Sequence, residues 1–170
     1  MSSPPYTPTT WTNQLLTLYH GTIDSSVTPI LTGINVSLGS PNTDFGQGFY
    51  TTTVLRQAHT WAWERSLLMS GSTPAVIQFD VDRDALAGLE TLYFVLGNYS
   101  ADDFWSLVFH CRTGKPPHAR MIAGGRYDVV VGPVAASWKQ QLLIADTDQI
   151  SFHTPKAAAV LDSSAKRRVI

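Results

Sequence analysis

The segment Leu18-Tyr19-His20-Gly21-Thr22 and the later segment Asp44-Phe45-Gly46-Gln47-Gly48-Phe49-Tyr50-Thr51 decide the fold that we expect. Each places a ring on a predicted strand beside a glycine, and the missing Cβ lets another group approach the backbone closely. Together the two segments can hold a flat, polar ligand of nucleotide size. Their pairing indicates NAD chemistry.

The two segments belong to a series of predicted strands that turns and helices separate. The strands are predicted at Leu15–Tyr19, Phe49–Thr52, Ala75–Val81, Thr91–Val95, Tyr127–Val131 and Gln149–His153. Helices are predicted after Thr53, after Asp102 and after Thr154-Pro155, because Thr and Asp cap helices and Pro suits the first helical position. We expect Gly21 to end the first strand, which puts His20 at a strand end.

The order of these elements predicts an α+β domain with a mixed or antiparallel sheet, because no strict strand-helix-strand rhythm is present. The run Gly46-Gln47-Gly48-Phe49-Tyr50-Thr51 begins like the fingerprint of a doubly wound dinucleotide-binding fold. However, Thr51 stands where the third glycine belongs, and the run leads into a strand rather than a helix. The sequence therefore excludes an ordinary Rossmann fold.

The length of 170 residues suits one domain with a single core. We expect a flexible lead-in at residues 1–13, the domain itself at residues 14–163 and a basic tail at residues 164–170. Lys166, Arg167 and Arg168 make the tail basic, and such a run is typical of a frayed, solvated terminus.

Composition narrows the class of partner and the compartment. The formal net charge is -1, so we expect no strong attraction to nucleic acid or to an anionic membrane. Cys111 is the single cysteine, which excludes an internal disulfide and gives no zinc-site spacing, so no metal is expected. The first ten residues match neither a secretory signal nor a membrane anchor. These features favour an intracellular, cytoplasmic protein.

Four segments in order carry a specific resemblance. They are Tyr19-His20-Gly21-Thr22, Asp44-Phe45-Gly46-Gln47-Gly48-Phe49-Tyr50, Tyr127-Asp128-Val129-Val130-Val131-Gly132-Pro133 and Gln149-Ile150-Ser151-Phe152. In this order, and over about residues 15–162, the chain resembles the DUF3990 family, a branch of the ADP-ribosyltransferase superfamily. The resemblance implies an ADP-ribosyltransferase-like fold of split mixed or antiparallel sheets with flanking helices.

The resemblance also implies three catalytic positions on three strands, His20, Tyr50 and Gln149. His20 would bond a ribose hydroxyl, and the backbone of Gly21 would hold the nicotinamide carboxamide. Tyr50 would stack on the positively charged nicotinamide ring. Relatives in the superfamily often have Glu at the third position, and Gln149 can make the hydrogen bond without supplying charge or acting as a base.

Further residues are assigned to NAD binding with alternatives left open. They are Thr22, Asp44, Phe45, Gly46, Gly48 and Arg112. Asp44 serves equally well to fix the loop that presents Tyr50, and Arg112 suits either an NAD phosphate or a salt bridge at a helix end. Phe45 is more typical of a loop anchor. Asp146 or Asp148 can provide a carboxylate near Gln149, but their spacing favours a polar turn.

The expected function is that of a NAD-dependent mono-ADP-ribosyltransferase. Such an enzyme cleaves the nicotinamide-ribose bond of NAD, its substrate, and transfers ADP-ribose to an acceptor, either a protein side chain or a small molecule. Two alternatives stay open, a NAD glycohydrolase that uses water as the acceptor and a non-catalytic module that binds NAD or another nucleotide. Acceptor choice depends on the loops around the cleft, which the sequence does not specify.

Overall fold

The computed structural model describes residues 14–94, 102–115 and 125–169. The strands are β1 (Leu16–Ile23), β2 (Phe49–Thr51), β3 (Pro74–Val81), β4 (Thr91–Tyr93), β5 (Val129–Gly132), β6 (Ala135–Ser137), β7 (Leu142–Leu143), β8 (Gln149–Phe152) and β9 (Ala165–Arg168). The helices are α1 (Asp24–Thr32), α2 (Leu55–Leu68), α3 (Arg83–Ala87), α4 (Asp102–Arg112) and α5 (Pro155–Ser163). These elements confirm the α+β class.

The described strands form two main sheets and a small hairpin. One sheet has the order β1-β3-β9 and is antiparallel throughout. The other has the order β2-β8-β5-β4, with a parallel β4–β5 pair beside antiparallel ones. Strands β6 and β7 form the hairpin. The prediction of mixed and antiparallel pairing is confirmed.

The two main sheets approach each other at the edges formed by β1 and β2. A single bridge joins these strands, in which Tyr19 and Thr52 exchange backbone hydrogen bonds of 2.8 and 2.9 Å. An antiparallel continuation would set Gly21 opposite Tyr50, but no ladder forms between these two described residues. The sheets therefore diverge beyond the bridge and leave a gap beside Gly21.

Two apolar clusters hold the sheets in place. The larger one packs β1, β3 and β8 against α5 and includes Leu18, Phe79, Phe152 and Leu161. The second packs α4 on β5, and Phe45 from the loop before β2 reaches into its centre. Burial of apolar area at these positions fixes the divergence of the two sheets.

No helix in the described ranges combines the length and apolar character that crossing a bilayer requires.

Strand β1 corrects the expectation that Gly21 ends the first strand. The strand continues to Ile23, so His20 lies inside it and not at its end. Glycine is required at position 21 for packing, because a Cβ there would lie 2.1 Å from the carbonyl oxygen of Ala58 on α2. A glycine inside a strand often marks such a close backbone approach.

The C-terminal segment also differs from the expectation of a frayed tail. Residues Ala165–Arg168 form β9 on the outer edge of β3. Arg167 pairs with Asp80 at 2.8 Å, and Lys166 pairs with Asp162 at 2.8 Å. Edge pairing and these two ion pairs give the basic residues a structural use that a charge run does not reveal.

Candidate functional site

A cavity of about 760 Å³ occupies the gap between the two sheets. Its walls come from β1, α1, the loop before β2, β2, α2, the end of α4, β6 and β8. The cavity brings together eight of the residues assigned to the site from sequence. They are His20, Gly21, Thr22, Asp44, Gly48, Tyr50, Arg112 and Gln149. The three strands that carry His20, Tyr50 and Gln149 thus meet at one hollow.

His20 spans the gap between the sheets. Its Nδ1 donates to the carbonyl oxygen of Tyr50 at 2.6 Å, since a carbonyl can only accept, and its ring stacks on Phe49 with 4.3 Å between centroids. Burial, with a smaller contribution from the nearby charge of Arg65, outweighs the opposing hydrogen bond to Tyr50 and lowers the pKa of His20 from its usual 6.5 to about 4. The imidazole is therefore neutral at pH 7, and the same tautomer leaves Nε2 as a hydrogen-bond acceptor.

Gly21 presents to the same gap a backbone N–H and C=O that no described residue pairs. Val76 on β3 is the partner of Gly21, and its carbonyl accepts from Val169 on the far side of β3. Gly21 and Val76 are therefore a non-hydrogen-bonded pair. The N–H and C=O of Gly21 therefore point away from β3, in the direction in which Tyr19 bonds Thr52. Beyond the bridge no described strand meets them, so one donor and one acceptor face the cavity.

Thr22 adds a hydroxyl to this edge. The residue is only 2% exposed and lines the cavity. No described residue makes a hydrogen bond to its side chain. A buried hydroxyl without a partner is costly unless water or a ligand satisfies it.

Tyr50 uses its hydroxyl within the protein. The hydroxyl accepts from the backbone N–H of Phe45 at 3.1 Å, donates to the carbonyl of Gly46 at 2.7 Å and lies 2.6 Å from the Thr43 hydroxyl. Burial raises the pKa of Tyr50 well above its usual range. The neutral phenol hydroxyl thus holds residues 43–46 in place by hydrogen bonds, and the aromatic ring is the part of Tyr50 that is available to a ligand in the cavity.

Gln149 is buried at the first position of β8, only 3% exposed. Its Nε2 donates to Oδ2 of Asp44 at 2.8 Å and to the carbonyl oxygen of Pro133 at 2.7 Å. The alternation predicted for this strand is confirmed, because Ile150 and Phe152 enter the apolar cluster while Gln149 lines the cavity. Its Oε1 has no hydrogen-bond partner among the described residues.

Arg112 and Cys111 end α4 beside the cavity. Arg112 bonds Asp44 through Nε at 2.8 Å and through Nη2 at 2.6 Å, and its Nη1 donates to the carbonyl of Asn42. It therefore makes the helix-end salt bridge that was the alternative to phosphate binding. Burial raises the pKa of the Cys111 thiol to about 11, helped by the charge of Asp44, so the thiol is protonated and inert at pH 7.

Phe45 and Gly46 do not line the cavity, although the sequence assigned both to NAD binding. Phe45 is fully buried in the aromatic cluster around Phe104, which makes it a loop anchor. Gly46 has φ +80°, a conformation that suits glycine, and its carbonyl accepts from Tyr50. Both residues shape the loop that carries Tyr50.

Of the two acidic residues before Gln149, Asp146 lies in a turn, as the spacing favoured, whereas Asp148 follows that turn. Asp146 is exposed and has φ +54°. Asp148 accepts from the Thr52 hydroxyl and from the backbone N–H and hydroxyl of Thr53, and so connects β8 to the start of α2. Neither residue lines the cavity.

One face of α2 also lines the cavity, and sequence reasoning missed it. Trp61, Arg65 and Leu68 lie there at spacings of four and three residues. Such spacing places side chains on one helix face, so the signal was present, but Trp61 in particular suits a packing residue equally well. Helix α1, which carries Pro29 inside it, forms another wall that no local signal predicted.

The described ranges hold no group of three or more His, Cys, Asp or Glu residues arranged to bind a metal ion. The polar lining instead offers neutral donors and acceptors together with two arginines, Arg65 and Arg112, and two acids, Asp44 and Glu64. Such a lining suits an organic ligand with hydroxyl, amide and phosphate groups.

Comparison with known proteins gives one match. The profile of the family described as "Protein of unknown function (DUF3990)" matches residues 16–144. No curated protein and no solved structure matches the chain. The matched range includes β1, the Tyr50 loop and α4, whereas Gln149 lies just beyond it.

Proposed function

Since the chain belongs to the DUF3990 family, we propose that its cavity binds NAD and that the protein is a mono-ADP-ribosyltransferase. In this reaction the bond between nicotinamide and ribose breaks and the acceptor forms a bond to the same ribose carbon. Neutral nicotinamide leaves with the bonding electron pair, and the acceptor releases one proton. The ADP-ribosyltransferase-like fold is part of the proposal, and the single bridge between two diverging sheets supports it.

The edge of β1 at Gly21 is the observation that carries the proposal. A nicotinamide carboxamide has one carbonyl acceptor and an amide donor, which complement the free N–H and C=O of one backbone residue. A strand edge without a partner offers this pair of groups, and here the divergence of β1 from β2 creates that edge inside a cavity. Backbone groups of this kind are fixed in direction before the ligand arrives, which favours specific binding.

The remaining lining fits the rest of a nucleotide. Nε2 of neutral His20 and Oε1 of Gln149 are acceptors for ribose hydroxyls. The ring of Tyr50, held in place by its own hydroxyl, is available to stack on a cationic nicotinamide ring. Arg65 lines the same cavity, where its guanidinium suits a phosphate.

A non-catalytic NAD-binding module is the second candidate, and the carboxylates of the lining favour it. The described lining contains two acids, Asp44 and Glu64. Both oxygens of Asp44 are already bonded to protein donors, and Glu64 is an exposed residue of α2. A site without a free buried carboxylate lacks the charge and the base that assist transfer in many glycosyl-transfer enzymes.

The test is to incubate the purified protein with NAD labelled on its adenine, with and without candidate acceptors. We expect nicotinamide release and label on an acceptor, and loss of both with Tyr50→Ala or His20→Ala. Matched controls are Tyr93→Ala and His59→Ala, which change residues outside the cavity lining and should keep activity.

Each outcome of this experiment separates the candidates. Free ADP-ribose without labelled acceptor indicates a NAD glycohydrolase. Binding of NAD in calorimetry without turnover indicates the binding module. Absence of NAD binding, or full activity of both cavity variants, overturns the proposal.

A further inference from the structure

Asp44 is the most completely hydrogen-bonded side chain that lines the cavity. Its Oδ1 accepts from Nε of Arg112 at 2.8 Å and forms an ion pair with Nη2 of Arg112 at 2.6 Å, and its Oδ2 accepts from the backbone N–H of Ala135 at 2.9 Å and from Nε2 of Gln149 at 2.8 Å. A carboxylate has about four lone-pair positions, and these three hydrogen bonds together with the ion pair engage both of its oxygens with donors of the protein itself. The residue is 2% exposed, which is consistent with an internal partner.

The orientation of the Gln149 amide follows from its two partners. The carboxylate of Asp44 and the carbonyl of Pro133 are both acceptors, so only the NH₂ end of the amide can face them. Both amide protons are used in these bonds. Oε1 is then the end left for the cavity, in a residue that is 97% buried and has no other described partner.

We propose that Asp44 is a positioning residue that fixes the carboxamide of Gln149 with Oε1 as the ligand-facing acceptor, so that this site requires glutamine and rejects glutamate at position 149. The inference rests on the proposed function for the identity of the ligand, a ribose hydroxyl. Gln149 is the side chain that differs from the Glu common in the superfamily, and the contact with Asp44 gives this difference a structural reason.

At position 149, glutamine donates its two amide protons to two acceptors, whereas an ionised glutamate has no proton to donate to them. An ionised carboxylate oxygen would replace Nε2 at 2.8 Å from Asp44 and 2.7 Å from the Pro133 carbonyl. Two buried carboxylates this close resist ionising together, so the pair keeps one proton to a pH above the usual glutamate range and holds two adjacent negative charges once that proton is lost. The substitution that restores the common residue should therefore weaken the site.

The test compares wild type with Q149E, D44N/Q149E and the matched control Q78E. Gln78 also donates to an aspartate, Asp80, at 2.8 Å, but lies on β3 outside the cavity lining. Ligand-free protein labelled with ¹³C on glutamate carboxyl carbons is titrated by NMR. The natural chain has only two glutamates, Glu64 and Glu90, so the new carboxyl gives a resolved third signal.

We expect the new carboxyl of Q149E to titrate well above the usual glutamate range, and to return toward that range in D44N/Q149E, where the facing charge is absent. In calorimetry the Kd of Q149E for NAD should rise about tenfold or more at pH 7.5, which corresponds to about 1.4 kcal/mol. The loss should shrink near pH 5, where the added carboxyl holds its proton. Q78E should bind NAD as wild type does.

Titration of the Q149E carboxyl in the usual glutamate range, or NAD binding by Q149E as tight as wild type at pH 7.5, overturns the inference. If Q149E unfolds at pH 7, the titration starts from pH 4.5, where protonation restores a donor toward Asp44. Failure of wild-type protein to bind NAD overturns the proposed function instead. The titration of ligand-free Q149E and D44N/Q149E still decides whether Asp44 orients position 149.

Discussion

The hydroxyl of Tyr50 is a structural group in a residue whose ring faces the cavity. It joins three residues of the preceding loop, Thr43, Phe45 and Gly46. Removing it leaves the Phe45 N–H without this acceptor, and an unsatisfied buried group costs about 1–3 kcal/mol. We therefore expect Tyr50→Phe to lower the free energy of unfolding by about this amount, measured by urea denaturation.

NAD binding by Tyr50→Phe should fall only a few-fold, because the ring that stacks is kept, whereas Tyr50→Ala should lose it. Tyr93→Phe is the matched control, since Tyr93 is 65% exposed and its change should cost less than about 0.5 kcal/mol. An unchanged free energy of unfolding for Tyr50→Phe would contradict the stabilising role of the Tyr50 hydroxyl.

His20 makes stability depend on pH. Burial lowers its pKa in the folded state to about 4, below the unfolded value of 6.5, so the unfolded chain binds a proton more readily between these values. Stability should therefore be complete above about pH 7 and fall by up to about 3 kcal/mol as pH drops from 6.5 through 4. Urea denaturation of wild type and His20→Gln across this range isolates the contribution.

The difference in unfolding free energy between wild type and His20→Gln should shift against wild type as pH falls. His59→Gln, which changes a histidine of α2 outside the cavity lining, is the matched control for loss of an imidazole. A constant difference between wild type and His20→Gln from pH 7 to pH 4 would show that His20 does not stay neutral.

At the scale of elements, β1 and α2 pack closely because position 21 has no side chain. The Cβ of an alanine there would lie 2.1 Å from the Ala58 carbonyl oxygen and 2.9 Å from the Ala62 nitrogen. Both are backbone atoms of a helix, so the clash is relieved only by moving α2 away from the strand. We expect Gly21→Ala to lower the free energy of unfolding by at least about 3 kcal/mol.

Gly33→Ala is the matched control for this substitution, because nothing lies within 4 Å of its built Cβ and its backbone is extended. Its unfolding free energy should change by less than about 0.5 kcal/mol. Equal stability of the two alanine variants would mean that α2 does not depend on the glycine.

How far the sequence predicts each element depends on how local its cause is. Helix α5 was predicted from Thr154 and Pro155, and the structure confirms the cap, because Thr154 accepts from the N–H of Ala157. Helix α1 has neither a side-chain cap nor a proline-free interior, so local signals argue against it. Strand β9 forms by pairing with a distant strand, and its sequence alone resembles a charged tail.

The candidate site also combines features with local causes and features that depend on contacts between distant residues. The open backbone at Gly21 and the alternation that turns Gln149 toward the cavity are short-range patterns, and both were visible in the sequence. The bond from Gln149 to Asp44 joins residues 105 positions apart, and no short-range pattern encodes such a contact. The sequence leaves open whether Asp44 contacts a ligand or fixes the loop that presents Tyr50, and its bond to Gln149 is visible only in the fold.

For the whole molecule, the cavity lies beside the β1 and β2 edges, where few hydrogen bonds join the two sheets. Between β1 and β2 the described structure has the Tyr19–Thr52 bridge and the bond from His20 to Tyr50. A ligand that contacts both edges binds the folded protein and not the unfolded chain. At one hundred times its Kd, NAD should therefore raise the free energy of unfolding by about 2.7 kcal/mol.

Amide hydrogen exchange tests where that stabilisation arises. The N–H of Thr22 faces β3 and should exchange slowly in the ligand-free protein, whereas the N–H of Gly21 faces the cavity and should exchange quickly. NAD should slow exchange at Gly21, because the nicotinamide carboxamide would accept from this N–H. ADP-ribose, which lacks nicotinamide, is the control and should raise stability without slowing Gly21. Equal protection of Gly21 by both ligands would place the nicotinamide elsewhere in the cavity.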